Sequence, residues 1–371
     1  MTALLRITFI VANPDLAGGD RMIAEHASRL QQNGHKVQVV GVVTARHSLR
    51  SVARSFIREG KPPSALFDPQ HFNSVGIDLK IVRRENSLEP DDLPDADLII
   101  ATYWETAVWI KNMPASKGKP VYFIQGYEPN FPGRGTANDV LATYQLPYFQ
   151  IAVSEQLCTR IDQVSAKTIP SGSCRLVENA IDLDRFSMGD RPPPDAPTVG
   201  FIYSPADVKN ASFACAVMHI LAAERSDFQG IVFGAYPLGK GHALPETSTF
   251  MLKPSQDAIP DLYKRARVWI VTSKDEGFGL PLVEALACGT PVVSTDVGVA
   301  RSVLDGTNGT VISGSAPSHT EFVRATSTIL DQSHKAWMVS SRRARQSAER
   351  FTWARASAAF EAALFEAVKQ Q

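Results

Sequence analysis

The sequence predicts an α/β protein made of two successive, doubly wound, parallel-sheet domains. Three observations carry this. At 371 residues the chain exceeds what one hydrophobic core usually organises. Short apolar runs alternate with amphipathic stretches from end to end, the pattern of parallel strands joined by crossover helices. The alternation is interrupted once, at Arg191-Pro-Pro-Pro194, and then restarts.

In the first half the spacing predicts strands at Arg6–Ala12, Val37–Val43, Asp97–Thr102, Val121–Gln125 and Gln150–Val153, each a short apolar run followed by helical or loop composition. The stretch from Asn179 to Phe186 leads into the prolines, which forbid helix and favour an extended connector. The first domain is therefore expected to cover 1–186. The second half predicts strands at Thr198–Tyr203, Gln229–Phe233, Val268–Thr272, Pro291–Ser294 and Thr310–Ile312, with a helix at Ala211–Glu224, for a domain over 187–351. From Thr352 to Val368 the chain places Phe360, Leu364 and Val368 in one helical row. Such a stripe needs a surface, so 352–371 is expected to dock back on the first domain.

Composition excludes several function classes. Lys plus Arg and Asp plus Glu both number 38, so no global basic field attracts nucleic acid or acidic lipid, and an anionic ligand must be held locally. The four cysteines (Cys158, Cys174, Cys215, Cys288) lack Cys-x-x-Cys or Cys/His spacing, which fits buried thiols in a reducing compartment and argues against structural zinc. The stretch from Met1 to Val11 has no signal-peptide core, and nowhere do eighteen apolar residues run together. A cytoplasmic protein is expected.

The stretch from Ser273 to Gly289 carries the chemistry. Its Glu276-Gly-Phe-Gly-Leu-Pro281 core follows a predicted strand and enters a helix with Pro281 in its first turn and Gly289 as its stop. Gly277 and Gly279 let the backbone approach a ligand closely. The N–H groups and positive dipole end of the helix start favour an anion such as diphosphate. Glu276 and Glu284 are eight residues apart, and a carboxylate in such a place accepts hydrogen bonds from paired sugar hydroxyls.

These residues, with the following Ala-Cys-Gly-Thr-Pro-Val-Val, resemble the signature of the retaining glycosyltransferases of family 4, which have the GT-B fold: two Rossmann-like domains facing a central cleft. The resemblance extends to Gly18-Gly19, to Leu30-Gln-Gln-Asn-Gly34-His35, to the stretch from Asn179 to Phe186, and to Phe351-Thr-Trp353. It implies a donor domain at the C-terminal side and an acceptor domain at the N-terminal side. Glu284 would bind the ribose hydroxyls of a UDP-, GDP- or dTDP-sugar, and Glu276 the hydroxyls of the transferred sugar. The amides of Gly277, Phe278, Gly279 and Leu280 would meet diphosphate or sugar. Lys209, after Tyr203-Ser204-Pro-Ala, matches the lysine that neutralises the β-phosphate, where a cation stabilises the departing nucleoside diphosphate. Glu276 and Lys209 are thus the expected catalytic pair, with Tyr203 and Ser204 beside the donor. Gly18-Gly19 either brings N–H groups to phosphate or makes an ordinary tight turn.

Two positions depart from the family pattern. Tyr203 stands where an arginine is common, leaving Arg21, Lys253 or Lys264 as substitutes. Gln125 stands where a histidine is expected, and an amide cannot take a proton near neutral pH. Glu128 or a donor phosphate oxygen would then do that work. The form Gln125-Gly-Tyr127-Glu128-Pro129 is similar to a subset of bacterial rhamnosyltransferases. Tyr103, Trp104, Gln125, Tyr127 and Glu128 form the expected acceptor side, though the aromatics equally suit a core.

No metal site and no cofactor are expected: Asp95-x-Asp97 and Asp182-x-Asp184 suit turns and caps. The stretch 46–61 sets an apolar stripe against Arg46, Arg50, Arg54, Arg58 and Lys61, which suits either an anionic membrane carrying a lipid-linked acceptor or packing on the domain. Expected partners are thus a nucleotide-sugar donor and a glycan or lipid-linked acceptor, with no nucleic acid. A nucleotide-sugar epimerase of the same shape and a non-catalytic nucleotide-sugar-binding protein are the alternatives. Donor turnover separates them, because only a transferase frees nucleoside diphosphate in an acceptor-dependent way.

Overall fold

The computed structural model describes residues 3–14, 18–43, 68–84, 87–131, 133–166, 172–189, 194, 196–314 and 317–370. The basic stretch 46–61 lies outside them. The chain divides into two compact units. Unit 1 is Met1–Val153, Leu157–Val177 and Ala356–Gln371; unit 2 is Ser154–Gln156 and Glu178–Arg355.

Unit 1 holds seven strands: β1 (Arg6–Ala12), β2 (Lys36–Val43), β3 (Leu79–Arg83), β4 (Leu98–Ala101), β5 (Lys119–Ile124), β6 (Phe149–Ala152) and β7 (Arg175–Leu176). They pair in the order β3-β2-β1-β4-β5-β6-β7, every pair parallel. β4 is a fully buried apolar run, as a helix-covered parallel strand must be, and β6 is buried throughout. The helices are α1 (Gly18–Gln32), α2 (Gln70–Ser74), α3 (Trp104–Trp109), α4 (Ala137–Thr143) and α5 (Glu155–Ser165).

Unit 2 holds β8 (Thr198–Tyr203), β9 (Gln229–Gly234), β10 (Ser248–Leu252), β11 (Val268–Val271), β12 (Val292–Thr295) and β13 (Gly309–Ile312), again all parallel, in the order β10-β9-β8-β11-β12-β13. Its helices are α6 (Ala211–Glu224), α7 (Ile259–Arg265), α8 (Leu280–Ala287), α9 (Ala300–Val303), α10 (His319–Leu330) and α11 (His334–Ala348). Predicted strands agree with observed ones to within a residue or two at each end. Three strands had no counterpart in the sequence reading: β3 and β10 are edge strands with mostly exposed or half-buried residues, and β7 is two residues long. Their apolar residues are few or stay partly exposed: Ile81-Val82 in β3 and Phe250-Met251-Leu252 in β10.

The last helix, α12 (Trp353–Lys369), joins unit 1 from Ala356 onward. Phe360 is fully buried, with its ring centroid 4.3 Å from His26, 5.0 Å from Phe123 and 6.2 Å from Phe9. Glu361 accepts from Asn33 Nδ2 at 2.8 Å and pairs with His35 Nε2 at 2.8 Å. The division between the units falls at Val177/Glu178 rather than after residue 186. Residues 178–186 stay with unit 2 because Phe186 is buried edge-on against Tyr263, while Arg345 Nη1 donates to the carbonyls of Leu183 and Phe186.

In each sheet the strand order reverses once, between β1 and β4 and between β8 and β11. Helices leave opposite faces at such a point, so a crevice opens beyond the carboxyl ends of the two strands, where ligands bind in open α/β sheets.

Candidate functional site

The loops after β8 and β11, on either side of the unit 2 reversal, carry the two expected catalytic residues and join them. Lys209 Nζ lies 2.7 Å from Glu276 Oε1 and 2.8 Å from Oε2. Ser273 Oγ donates to Oε1 at 2.7 Å, so the Glu276 carboxylate, 12% exposed, receives an ammonium and a hydroxyl at once. The loops are stitched further by Lys274 N–H to the Val208 carbonyl at 2.8 Å and by Lys274 Nζ to Asp207 at 2.7 Å. Asn210 adopts a left-handed backbone (φ 53°) that turns the chain from this loop into α6, and Thr272 Oγ1 donates to its carbonyl. A lysine and a glutamate 67 positions apart therefore meet because of strand order alone.

The turn into α8 is built for backbone exposure. Gly279, at the N-cap, has φ 91°, a conformation L side chains rarely adopt. Phe278 turns its side chain inward, edge-on to Phe351 at 5.3 Å, and its carbonyl accepts from Val299 N–H. That contact needs Gly298, where a Cβ would sit 2.2 Å from the Phe278 oxygen. Among the described hydrogen bonds, none uses the N–H of Gly277, Phe278 or Gly279. They are available, at the positive end of a helix, to an anion. Glu284 lies one turn into α8, 7% exposed, with its Oε2 receiving the Tyr263 hydroxyl at 3.0 Å. Tyr263, fully buried on α7, was not singled out from sequence; nothing in the chain between them signals the pairing. Ser273 was legible in principle as the hydroxyl three residues before Glu276.

Tyr203 closes β8 with its side chain in the unit 2 core, 1% exposed. Its hydroxyl accepts from Gly239 N–H at 2.9 Å and shares a hydrogen bond with His242 Nδ1 at 3.0 Å. The position where arginine is common thus holds a loop in place. Ser204 Oγ accepts from Ala206 N–H. Lys264 pairs with Asp261 on α7, and Lys253 is exposed after β10 with φ 48°. Arg21 lies on α1 of unit 1.

At the unit 1 reversal a cleft of about 420 Å³ brings together Gly19, Tyr103, Gln125 and Glu128. Gln125 Nε2 donates to the Gly19 carbonyl at 3.1 Å. Glu128 is 2% exposed, and its Oε2 receives both Trp104 N–H and the Tyr122 hydroxyl at 2.7 Å. Burial pushes its carboxyl up to about 8 against the opposing pull of those two donors, so it is a neutral acid at pH 7. Trp104 and Tyr127 do not line this cleft. Trp104 is buried, and Arg160 stacks over the Tyr127 ring at 3.5 Å. Gly18 begins α1.

The Asp-x-Asp pairs are structural. Asp95 and Asp97 pair with Lys117 and Arg6, and Asp182 accepts from the N–H groups of Asp184 and Arg185. Among the described residues no group of three His, Cys, Asp or Glu side chains could hold a metal ion, and no helix is long and apolar enough to cross a membrane.

Residues 196–332, most of unit 2, match the family model of the glycosyl transferases group 1. The chain is 28% identical over 239 residues to D-inositol 3-phosphate glycosyltransferase 2 of Catenulispora acidiphila, covering 56% of this chain and 55% of that one. It is 30% identical over 200 residues to the D-inositol 3-phosphate glycosyltransferase of Mycolicibacterium smegmatis, covering 48% and 44%. The chain thus spans about half the length of the curated relatives it matches. Among solved structures, sucrose-phosphate synthase from Thermosynechococcus elongatus superposes with a TM-score of 0.70 at 16% identity, over 97% of this chain and 98% of that one. Anabaena HepE in complex with UDP and glucose superposes with a TM-score of 0.72 at 15% identity, over 98% and 100%. The chain has the GT-B fold, and most of its second unit resembles the glycosyl transferases group 1 family.

Proposed function

We propose that the chain is a retaining glycosyltransferase. Unit 2 binds a nucleoside-diphosphate sugar, unit 1 binds a glycan or lipid-linked acceptor, and a hexose or deoxyhexose is transferred to that acceptor in bacterial polysaccharide or glycoconjugate synthesis. The observation that carries this is the meeting of Lys209, Glu276 and the unused N–H groups of the Gly277–Gly279 turn at one sheet reversal. An anion arriving at that turn competes for Lys209. When the ammonium moves to phosphate, Glu276 keeps the Ser273 hydroxyl and gains a free oxygen for two sugar hydroxyls. The same ammonium then meets the charge that grows on the leaving diphosphate, in the part a metal ion plays elsewhere. HepE, in its complexes, holds UDP and UDP-glucose, which supports a donor of this class.

Glu128 is a poor general base under this scheme, since a carboxyl already protonated at pH 7 cannot take a second proton. The acceptor proton goes instead to a donor phosphate oxygen on the face that the leaving group vacates, which keeps the anomeric configuration. The test is nucleoside diphosphate release with and without acceptor, in chelator. Release should be acceptor-dependent and chelator-resistant, and Lys209→Ala should lower kcat by about 10²–10³-fold, the cost of losing one charge-stabilising group. Turnover of the donor sugar with no acceptor would favour an epimerase, and unchanged turnover in Lys209→Ala would refute the role of the lysine.

A further inference from the structure

Unit 1 brings two cysteines together at its sheet edge. Cys158 lies on the first turn of α5, and Cys174 immediately precedes β7, the two-residue strand that ends the sheet. Cys174 Sγ donates to Cys158 Sγ at 3.2 Å, and neither is in a disulfide. One helical turn further along α5, Asp162 accepts from Cys174 N–H at 3.3 Å, so positions i and i+4 of one helix face both hold residue 174 in place. A disulfide sets its sulfurs about 2.05 Å apart, so the gap to close is roughly 1 Å, which side-chain rotation covers. The two thiols are unequal. Cys158 is half-buried, whereas Cys174 is 9% exposed, so a reagent from solvent meets Cys158 first. The hydrogen bond to Cys158 and burial raise the Cys174 thiol above its ordinary value, which keeps it protonated at neutral pH.

We infer that Cys158 and Cys174 are a reversible disulfide site, oxidised by small-molecule disulfides, whose closure staples the edge strand β7 to α5. The Cys158 sulfur attacks the small disulfide, whose S–S bond breaks, and one thiol leaves with the Cys158 proton. The Cys174 sulfur then attacks Cys158, the second thiol leaves with the Cys174 proton, and the Cys158–Cys174 bond forms. Two protein thiols are oxidised, and one disulfide is reduced to two thiols. The link matters at β7 because the ladder with β6 is only two residue pairs long, Ile151 with Arg175 and Ala152 with Leu176.

The test treats the full chain with glutathione disulfide, quenches in acid, alkylates the remaining thiols after unfolding and maps the unreduced digest by mass spectrometry. The peptides carrying Cys158 and Cys174 should be joined. Cys215 and Cys288, at 4% and 0% exposure, should be recovered as alkylated thiols. The link closes a 16-residue loop in the unfolded chain, so the melting temperature of unit 1 should rise by about 5–10 °C and fall back with dithiothreitol. Cys174→Ser should instead keep glutathione on Cys158, and Cys158→Ser should take up neither glutathione nor a cross-link. Glutathione retained on Cys158 of the unaltered chain, a cross-link that forms only in urea, a link to Cys215 or Cys288, or an unshifted melting temperature would each overturn the inference.

Discussion

Glu128 makes the structure's account of unit 1 measurable through pH. Its carboxyl has an ordinary value of 4.5 and is raised to about 8 by complete burial. In the unfolded chain it ionises near 4.5, whereas in the folded chain it stays protonated until about 8. The folded state therefore binds the extra proton across this window, and stability falls as pH rises. Each pH unit inside the window costs about 1 kcal/mol, so the step from pH 5.5 to 7.5 removes about 2–3 kcal/mol through this one group. The hydroxyls of Tyr122 and Tyr144 are pushed up by burial and Tyr103 to about 12, so none of these neighbours titrates there. His26 works in the opposite sense. Burial lowers it from 6.5 to about 3, and its contribution is lost as pH falls below 6.5. Glu128→Gln removes only the carboxyl. Its amide oxygen still accepts from Trp104 and Tyr122, and its NH₂ takes the cleft side. Urea unfolding of both proteins at pH 5.5, 6.5 and 7.5 reads the difference, from which His26 cancels. The variant should gain on the parent by about 2–3 kcal/mol between the two ends of that range. Parallel pH profiles would refute the buried neutral acid.

Two further outcomes follow from packing and from the donor side. Phe360→Ala empties the slot between His26, Phe123 and Phe9 and should destabilise by about 3–5 kcal/mol, seen as a lower urea midpoint. An unchanged midpoint would mean that α12 contributes little to unit 1. Tyr263→Phe removes the hydroxyl that donates to Glu284, at a cost of about 1 kcal/mol in stability. It should weaken nucleotide binding while leaving acceptor binding unchanged, and calorimetry with each ligand separates the two.

Much of the fold was legible because buried parallel strands are continuous apolar runs. β1 and β8 and the helix α6 have the bounds that periodicity predicts. Edge strands fit this logic poorly: β10 has only the short run Phe250-Met251-Leu252 and keeps Met251 and Leu252 exposed at 39% and 47%. The turn at Gly277–Leu280 was legible for a local reason: strand, glycines, proline and helix follow one another in the chain. Long-range partners were not. Nothing in the sequence says that Glu284 meets Tyr263, that Tyr203 turns into the core to hold the loop of Gly239 and His242, or that Trp104 donates its backbone N–H to Glu128. The protonation of Glu128 is likewise invisible in a sequence, because it depends on complete burial beside two donors that both choose one oxygen.

The central claim is that the start of α8 and its two acidic side chains hold an activated sugar nucleotide. It is tested most directly by soaking crystals with whichever UDP-, GDP- or dTDP-sugar raises the melting temperature most. The account predicts diphosphate against the N–H groups of Gly277 to Gly279, ribose hydroxyls on Glu284, and Lys209 Nζ moved from Glu276 to a phosphate oxygen. Nucleotide density elsewhere, with the Lys209–Glu276 pair intact at 2.7 Å, would contradict it.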